Sequence, residues 1–198
     1  MKTLLISAAL AATVLPTAVA AQAIPGAVIA VVDLEKVTSQ CNACRTATAA
    51  LRSQATGLQS RQQALVTPLQ TEQKSIQTAI DALPQGKDPD AALKQRAAAF
   101  QTKYQQAQEE VARSEQQIQR NQAYINQQVR DKLGPIYQQV MQRRGANIMV
   151  ETGTTLATST AVDVTNDVLA ALNTAMPTIQ TTAPAAQAAP KQAQPQGR

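Results

Sequence analysis

The stretch "LPQGKDPDAAL", residues 83–93, decides the fold because it separates two long segments of helical sequence. Pro84 and Gly86 predict the end of the first helix, since proline cannot donate a helix hydrogen bond and glycine favours turns. The next three residues suit a helix start as N-cap, first helical residue and dipole partner: Asp88, Pro89 and Asp90. A connection of about five residues makes the helices antiparallel neighbours. The sequence therefore predicts a helical hairpin with its tip near 84–88.

Mostly apolar residues recur at spacings of three and four on both sides of this turn. The first run comprises Val37, Cys41, Cys44, Thr48, Leu51, Ala55, Leu58, Gln62, Leu65, Leu69, Glu72, Ile76, Ala79 and Leu83. The second comprises Leu93, Ala97, Phe100, Tyr104, Ala107, Val111, Ser114, Ile118, Asn121 and Ile125. This is the pattern of a coiled-coil seam. Repeated steps of four then lead to Val129, Leu133, Ile136 and Val140, which predicts a stutter that locally unwinds the supercoil.

Composition favours long helices over a compact globule. Aromatic residues make up 2% of the chain, tryptophan is absent, and residues 41–143 contain 22 glutamines. A core of ordinary size would use more large aromatic side chains. We therefore expect a coiled-coil arm over residues 38–143, whose second helix of about 50 residues reaches roughly 75 Å. Candidate hinges in the arm are Pro68, Gly134 and Pro135, because proline removes a helix hydrogen bond.

The segments that flank the arm are strand-like. β-Branched runs occupy residues 27–33 and 146–151, and 154–159 is a weaker third candidate strand. They predict a small β base from residues 24–37 and 144–176. Three strands and one short helix bury little by themselves, so self-association is the expected way to complete the base. Residues predicted to be buried between subunits are Val28, Ile29, Val31, Ile148 and Val150.

The C-terminal part of the base reads as a short amphipathic helix, "DVTNDVLAALNTAM", residues 163–176. Asp163 or Thr165 is its expected cap, because both side chains can accept from the first free helix amides. The remainder, residues 177–198, is rich in Pro, Ala and Gln, which predicts a disordered tail.

The N-terminus predicts export. Lys2 precedes an apolar run, Leu4 to Leu15, which is too short for a stable membrane span, and small residues follow it. Residues 1–23 therefore read as a cleavable signal peptide with cleavage near Ala20 or Ala23. The expected location is an oxidising compartment such as the bacterial periplasm.

The order of these parts resembles the Skp/OmpH family of periplasmic chaperones for outer-membrane proteins. The resemblance is carried by "IAVVDLEKV", residues 29–37, and "GANIMVETGTTLATSTAVDVTNDVLAAL", residues 145–172. The second stretch matches the family's order of strand, acidic residue, strand and helix start at Val150, Glu151, Leu156 and Asp163-Val164-Thr165. The resemblance implies a mainly α-helical, jellyfish-like homotrimer with a β-barrel body and helical arms. It also implies an ATP-independent holdase for unfolded outer-membrane proteins, with neither a catalytic residue nor a cofactor.

The arm carries more basic than acidic residues, and the whole chain has a net charge of +5. This charge can attract acidic client chains, anionic lipid or lipopolysaccharide, whereas nucleic acid is not an expected partner in this compartment. A plainer interpretation of each basic residue is a solvated helix face. Candidate client-facing residues on the arm are Lys94, Arg96, Phe100, Lys103 and Tyr104.

Cys41 and Cys44 form the one Cys-x-x-Cys motif in the chain. Arg45 stands where a haem attachment site needs histidine, and a zinc site needs more ligands than two cysteines in a chain without histidine. The spacing places the cysteines one helical turn apart, with Cα atoms close enough for a disulfide if the helix distorts. A local disulfide, two buried free thiols, and a bond or metal shared between subunits remain open.

Two other functional classes fit parts of the sequence. A structural or adaptor coiled coil of the cell envelope would share the hairpin, although adaptor proteins need larger β modules on either side of it. A thiol redox enzyme would share the Cys-x-x-Cys motif, although no α/β pattern accompanies it. The aggregation-preventing chaperone is the interpretation that uses all parts of the chain.

Overall fold

The computed structural model describes residues 25–184 of the chain. The expected signal peptide at 1–23 and the last part of the expected tail lie outside the described residues. The fold is mainly helical with a small strand part, and its elements follow in this order: β1 (Ile29–Val32), α1 (Leu34–Gln40), α2 (Asn42–Asp81), α3 (Ala91–Arg144), β2 (Ile148–Glu151) and α4 (Thr165–Ala175).

Helices α2 and α3 form the arm, which is a hairpin as expected. Helix α3 begins after Asp90, whose carboxylate accepts a 2.7 Å hydrogen bond from the Leu93 amide. The prediction of Asp88 as the N-cap is therefore wrong. Asp90 takes the extended backbone of an N-cap (φ −68°, ψ 171°), so the helix begins two residues later, at Ala91. The turn is consequently longer than expected, and Gly86 takes a φ of 78° within it.

The predicted seam is where the two arm helices shield each other. All of its first-run residues except Thr48 and Ala55, and all of its second-run residues except Tyr104, are partly or fully protected from solvent. Helix α2 continues through Pro68, and helix α3 continues through Pro135. Their role as hinges stays a prediction.

Strands β1 and β2 pair in parallel, with Ile29 opposite Ile148 and Val32 opposite Glu151. The predicted third strand at 154–159 is wrong. The hydroxyls of Thr154 and Thr155 bind backbone carbonyls three residues earlier, and such local bonds compete with a strand ladder. In place of a third strand, a single bridge joins Val31 to Asp163.

The hydrophobic core lies in the base, where the root of the hairpin meets β1, α1 and α4. Its fully buried members come from three helices and include Val37 of α1, Val140 of α3 and Leu172 of α4. The base therefore buries more than its strands and short helix could supply, because the last turns of α3 complete it. Within residues 25–184, no helix is long and apolar enough to cross a bilayer.

Candidate functional site

The two faces of the small sheet have different surroundings. Alternate residues of a strand point to opposite faces, and Ala30, Val32 and Met149 pack in or against the hydrophobic core. The other face consists of the residues between them: Ile29, Val31, Ile148 and Val150. Four of the five residues predicted to be buried between subunits thus share one sheet face.

This outer sheet face is largely uncovered in the single chain. Ile29 and Ile148 are 46% and 42% exposed, and Val28, just before the strand, is 51% exposed. Val31 is the exception because it is only 3% exposed in the chain alone and is bridged to Asp163. Val150 is half-buried. The place of these residues in a subunit interface stays a prediction.

The same region also offers an unpaired strand edge. Strand β2 pairs with β1 alone among the described residues, so its second edge presents free backbone groups. Leu156, shortly after β2, is fully exposed. An exposed edge beside a cluster of large apolar side chains is typical of a surface that another chain covers.

Cys41 and Cys44 are joined by a disulfide, with their Cα atoms 5.1 Å apart. The first helix of the sequence prediction is broken here, because Cys41 has an extended backbone (φ −56°, ψ 128°) and ends α1 while capping α2. The Cys44 amide donates to the Cys41 sulfur at 3.2 Å. Both residues belong to the base core, so the pair fixes the junction between base and arm.

The N-cap position of α4 is Val164, which gives no side-chain hydrogen bond, so neither Asp163 nor Thr165 occupies the predicted cap position. The Asp163 carboxylate accepts a 2.8 Å hydrogen bond from the Thr165 amide, and hydrogen bonds from the Thr165 hydroxyl and amide lower the pKa of Asp163. Thr165 is already the first residue of the helix. Its hydroxyl oxygen accepts from the Asp33 amide at 2.9 Å and thereby ties α4 to the end of β1.

Two ion pairs connect the arm helices. Arg61 meets Glu110 at 2.6 Å, and Arg96 meets Glu72 at 2.7 Å. Hydrogen bonds from the two arginines lower the pKa of Glu110 and of Glu72, and the same bonds raise the pKa of each arginine. Arg96 also donates to the Ser75 hydroxyl at 2.8 Å.

The candidate client-facing residues therefore differ in availability. The guanidinium of Arg96 is bound to Glu72 of the other arm helix, while Lys94 and Lys103 are exposed. Phe100 is half-buried in the seam and stacks on Tyr104, with ring centroids 6.1 Å apart. Tyr104 is 44% exposed, so it is the aromatic surface that this part of the arm presents.

A contact that the sequence prediction missed runs along the arm. Residues 177–184, assigned to a disordered tail, lie instead against α2 and α3, where Gln54, Asn121 and Gln128 bind their backbone. Ile179 packs against the base core. The one signal for this contact was Ile179, a large apolar residue in an otherwise small and polar tail.

Comparison with known proteins identifies the family of the chain. The family model described as "Outer membrane protein (OmpH-like)" matches residues 28–172, which is more than half of the sequence. A search of curated proteins finds no match. The fold is similar to the crystal structure of a protein assigned as an OmpH-like outer membrane chaperone from Caulobacter crescentus CB15. The TM-score is 0.67 at 20% identity, over 84% of this chain and 96% of that one. Given the family match across base and arm, the chain belongs to the OmpH-like family.

Proposed function

We propose that this chain is an ATP-independent periplasmic holdase that binds unfolded outer-membrane β-barrel proteins between its arms and prevents their aggregation. The observation that carries the proposal is the joining of an uncovered apolar base to a long, thin arm. Family membership supports a chaperone, and the base and arm suggest how it works.

The base supports self-association into a homotrimer. Ile29 and Ile148 lie opposite each other on the outer sheet face, next to the free edge of β2. Further copies of the same chain bring the same strands and the same apolar side chains, so they can extend the sheet and cover this face. Closing the sheet between subunits removes the exposed edge, which is otherwise a liability.

The arms support the binding of unfolded chains. Without ATP in the periplasm, a chaperone there can only hold and release its client. Unfolded β-barrel chains carry alternating apolar residues and free strand edges, which aggregate readily. Arms with scattered apolar and amide side chains offer many weak contacts, and enclosure between several arms separates the client from its neighbours. Exposed Lys94 and Lys103 near the tip add positive charge that can attract acidic segments or anionic lipid.

The experiment compares two substitutions with similar exposure in the single chain. Ile148→Asp places a charge on the outer sheet face, whereas Ile80→Asp places one on the arm, where Ile80 is 40% exposed. Burial of an unpaired charge between subunits costs several kcal/mol, so light scattering should show monomers for Ile148→Asp and trimers for Ile80→Asp.

A second measurement tests the function. It uses light scattering to follow the aggregation of a urea-unfolded outer-membrane barrel protein after dilution. The mature protein should suppress aggregation at one trimer per client, and Ile148→Asp should protect poorly. A trimer that persists in Ile148→Asp would contradict the assembly, and full aggregation beside intact trimers would contradict the holdase.

A further inference from the structure

Gln128 holds the main chain of the C-terminal segment with both ends of its carboxamide. Its Nε2 donates to the Gln180 carbonyl at 2.9 Å, and its Oε1 accepts from the Gln180 amide at 3.1 Å. Tyr124 adds a 3.0 Å hydrogen bond from its hydroxyl to the Gln180 side chain. The carboxamide thus satisfies both backbone groups of one residue, as a neighbouring strand would.

Two further amide side chains continue this contact toward the arm tip. Asn121 Oδ1 accepts from the Ala183 amide at 2.8 Å, and Gln54 Nε2 donates to the Thr181 carbonyl at 3.2 Å. Asn121 is itself only 3% exposed, and its Nδ2 donates to Gln54 Oε1 at 2.8 Å across the seam. The two helices therefore present a pre-oriented row of amides to the segment.

Four of these five contacts end on main-chain atoms of the bound segment. Main-chain groups are the same in every sequence except at proline, so such contacts accept an extended chain with little regard to its side chains. The groove also continues past Thr182 between α2 and α3, where an open space of about 480 Å³ is lined by residues such as Leu58 and Ile118. A longer extended segment could follow it.

We infer that this amide row, consisting of Gln54, Asn121 and Gln128, is a binding site for the main chain of an extended, unfolded polypeptide. Residues 180–183 occupy it as an internal competitor, which an incoming client displaces. The client part of this inference rests on the proposed function. In the empty protein, the tail would satisfy the hydrogen bonds of the amide row. The row would bind a client only when the client's main chain replaces that of the tail.

Hydrogen–deuterium exchange on the full mature protein tests the displacement directly. The Gln180 and Ala183 amides should be protected in the empty protein, because each donates to an arm side chain. A saturating amount of a urea-unfolded outer-membrane barrel, diluted into the protein, should raise their exchange at least tenfold. Client capture with unchanged protection of both amides would overturn the inference while leaving the holdase intact.

Affinity measurements test the same groove with matched variants. Deletion of residues 180–198 removes the bonded segment but keeps Ile179, which packs against the base core. This deletion should tighten client binding several-fold. On the deleted background, Gln128→Ala should weaken it about tenfold, whereas Gln127→Ala, an exposed neighbour on α3, should leave it unchanged. Weaker client binding after the deletion, or equal effects of the two substitutions, would overturn the inference.

A measurement without a client separates the inference from the proposed function. A labelled peptide of residues 179–184 should bind the deleted protein and lose most of its affinity with Gln128→Ala but not with Gln127→Ala. If the peptide binds in this way and no barrel client does, the holdase proposal fails and the groove remains a peptide site. If the peptide does not discriminate between the two variants, the amide row is not the site.

Discussion

The base and the arm of this chain are built on opposite principles. The base gathers buried residues from β1 and all four helices into one cluster. In the arm, between residues 48 and 120, only Ile76 and Ala107 among the hydrophobic residues are buried. Helix propensity, a half-shielded seam and ion pairs between the helices hold the arm, whereas close packing holds the base.

This difference explains how one chain can be both stable and adaptable. Local stability follows the density of buried apolar contacts, so the arm should open and bend at a free energy far below that of global unfolding. The base can then keep the arm anchored while its helices move. The most informative experiments are those that change one region and measure both.

Truncation of a core leucine should produce the largest effect. Leu172 of α4 has no exposed surface, so Leu172→Ala leaves a cavity and should cost roughly 2–5 kcal/mol of unfolding free energy. Leu65 of α2 is only partly buried, and Leu65→Ala should cost less than about 1.5 kcal/mol. Urea unfolding followed by circular dichroism at 222 nm measures both, and equal losses would show that the arm is packed as tightly as the base.

Loss of the disulfide should produce the next effect, at the junction of the two regions. Replacement of Cys41 and Cys44 by serine removes the bond and places two hydroxyls in the base core. The closed loop is very short, so its entropic contribution is small, and we expect a loss of about 1–3 kcal/mol, mostly from packing. Wild-type protein in reductant is the matched control for the bond alone.

The same double variant should still suppress client aggregation below its melting transition. A trimer of normal stability that no longer protects its client would mean that the cysteine pair acts in function. Thiol labelling of the wild-type protein without reductant should give no label. Two labels per chain would show that the cysteines are free thiols and not a disulfide.

Much of the arm could be predicted from sequence because its geometry depends on local rules. Three- and four-residue spacing identified the seam, and Pro84 with Gly86 identified the turn. The N-cap was placed two residues too early, since Asp88 and Asp90 are the same residue type and both can accept from the first free amides of a helix. Family membership, inferred from the order of the parts, is confirmed by the family model.

The contacts that were missed join residues far apart in sequence. Val31 is bridged to Asp163, and Gln54 reaches Thr181, and neither pairing leaves a periodic signal. The helix break at Cys41 likewise lies in the base core, where α1 contacts α4. Sequence patterns thus predicted the elements, while tertiary contacts determined how the base closes and where the tail lies.

A glycine substitution beside Pro135 tests whether the arm's bending matters, with a smaller expected effect on stability. Apart from its two chain neighbours, no heavy atom lies within 4 Å of a Cβ added at Gly134, but the ring of Pro135 crowds the Cβ of a helical residue before it. The higher helix propensity of alanine opposes this crowding, so Gly134→Ala should change the free energy of unfolding by less than about 1 kcal/mol. If Gly134 and Pro135 form a hinge, protection of the largest clients should fall while that of small clients is retained. Unchanged protection for all client sizes would remove the hinge.

The smallest expected effect comes from the ion pair between Arg96 and Glu72 near the arm tip. The hydrogen bond from Arg96 lowers the pKa of Glu72 in the folded chain below its unfolded value. Its stabilising contribution is therefore fully present above the unfolded pKa of about 4.3 and is lost as the pH falls through the lower folded pKa. At neutral pH, Arg96→Gln should accelerate amide exchange around the tip without moving the global unfolding midpoint, and added salt should diminish the difference.

Arg113→Gln is the matched control, because Arg113 pairs with Glu109 on its own helix and does not connect the two helices. Equal acceleration by both substitutions would show that the tip is held by the seam alone, and that pairing across the hairpin adds nothing to it.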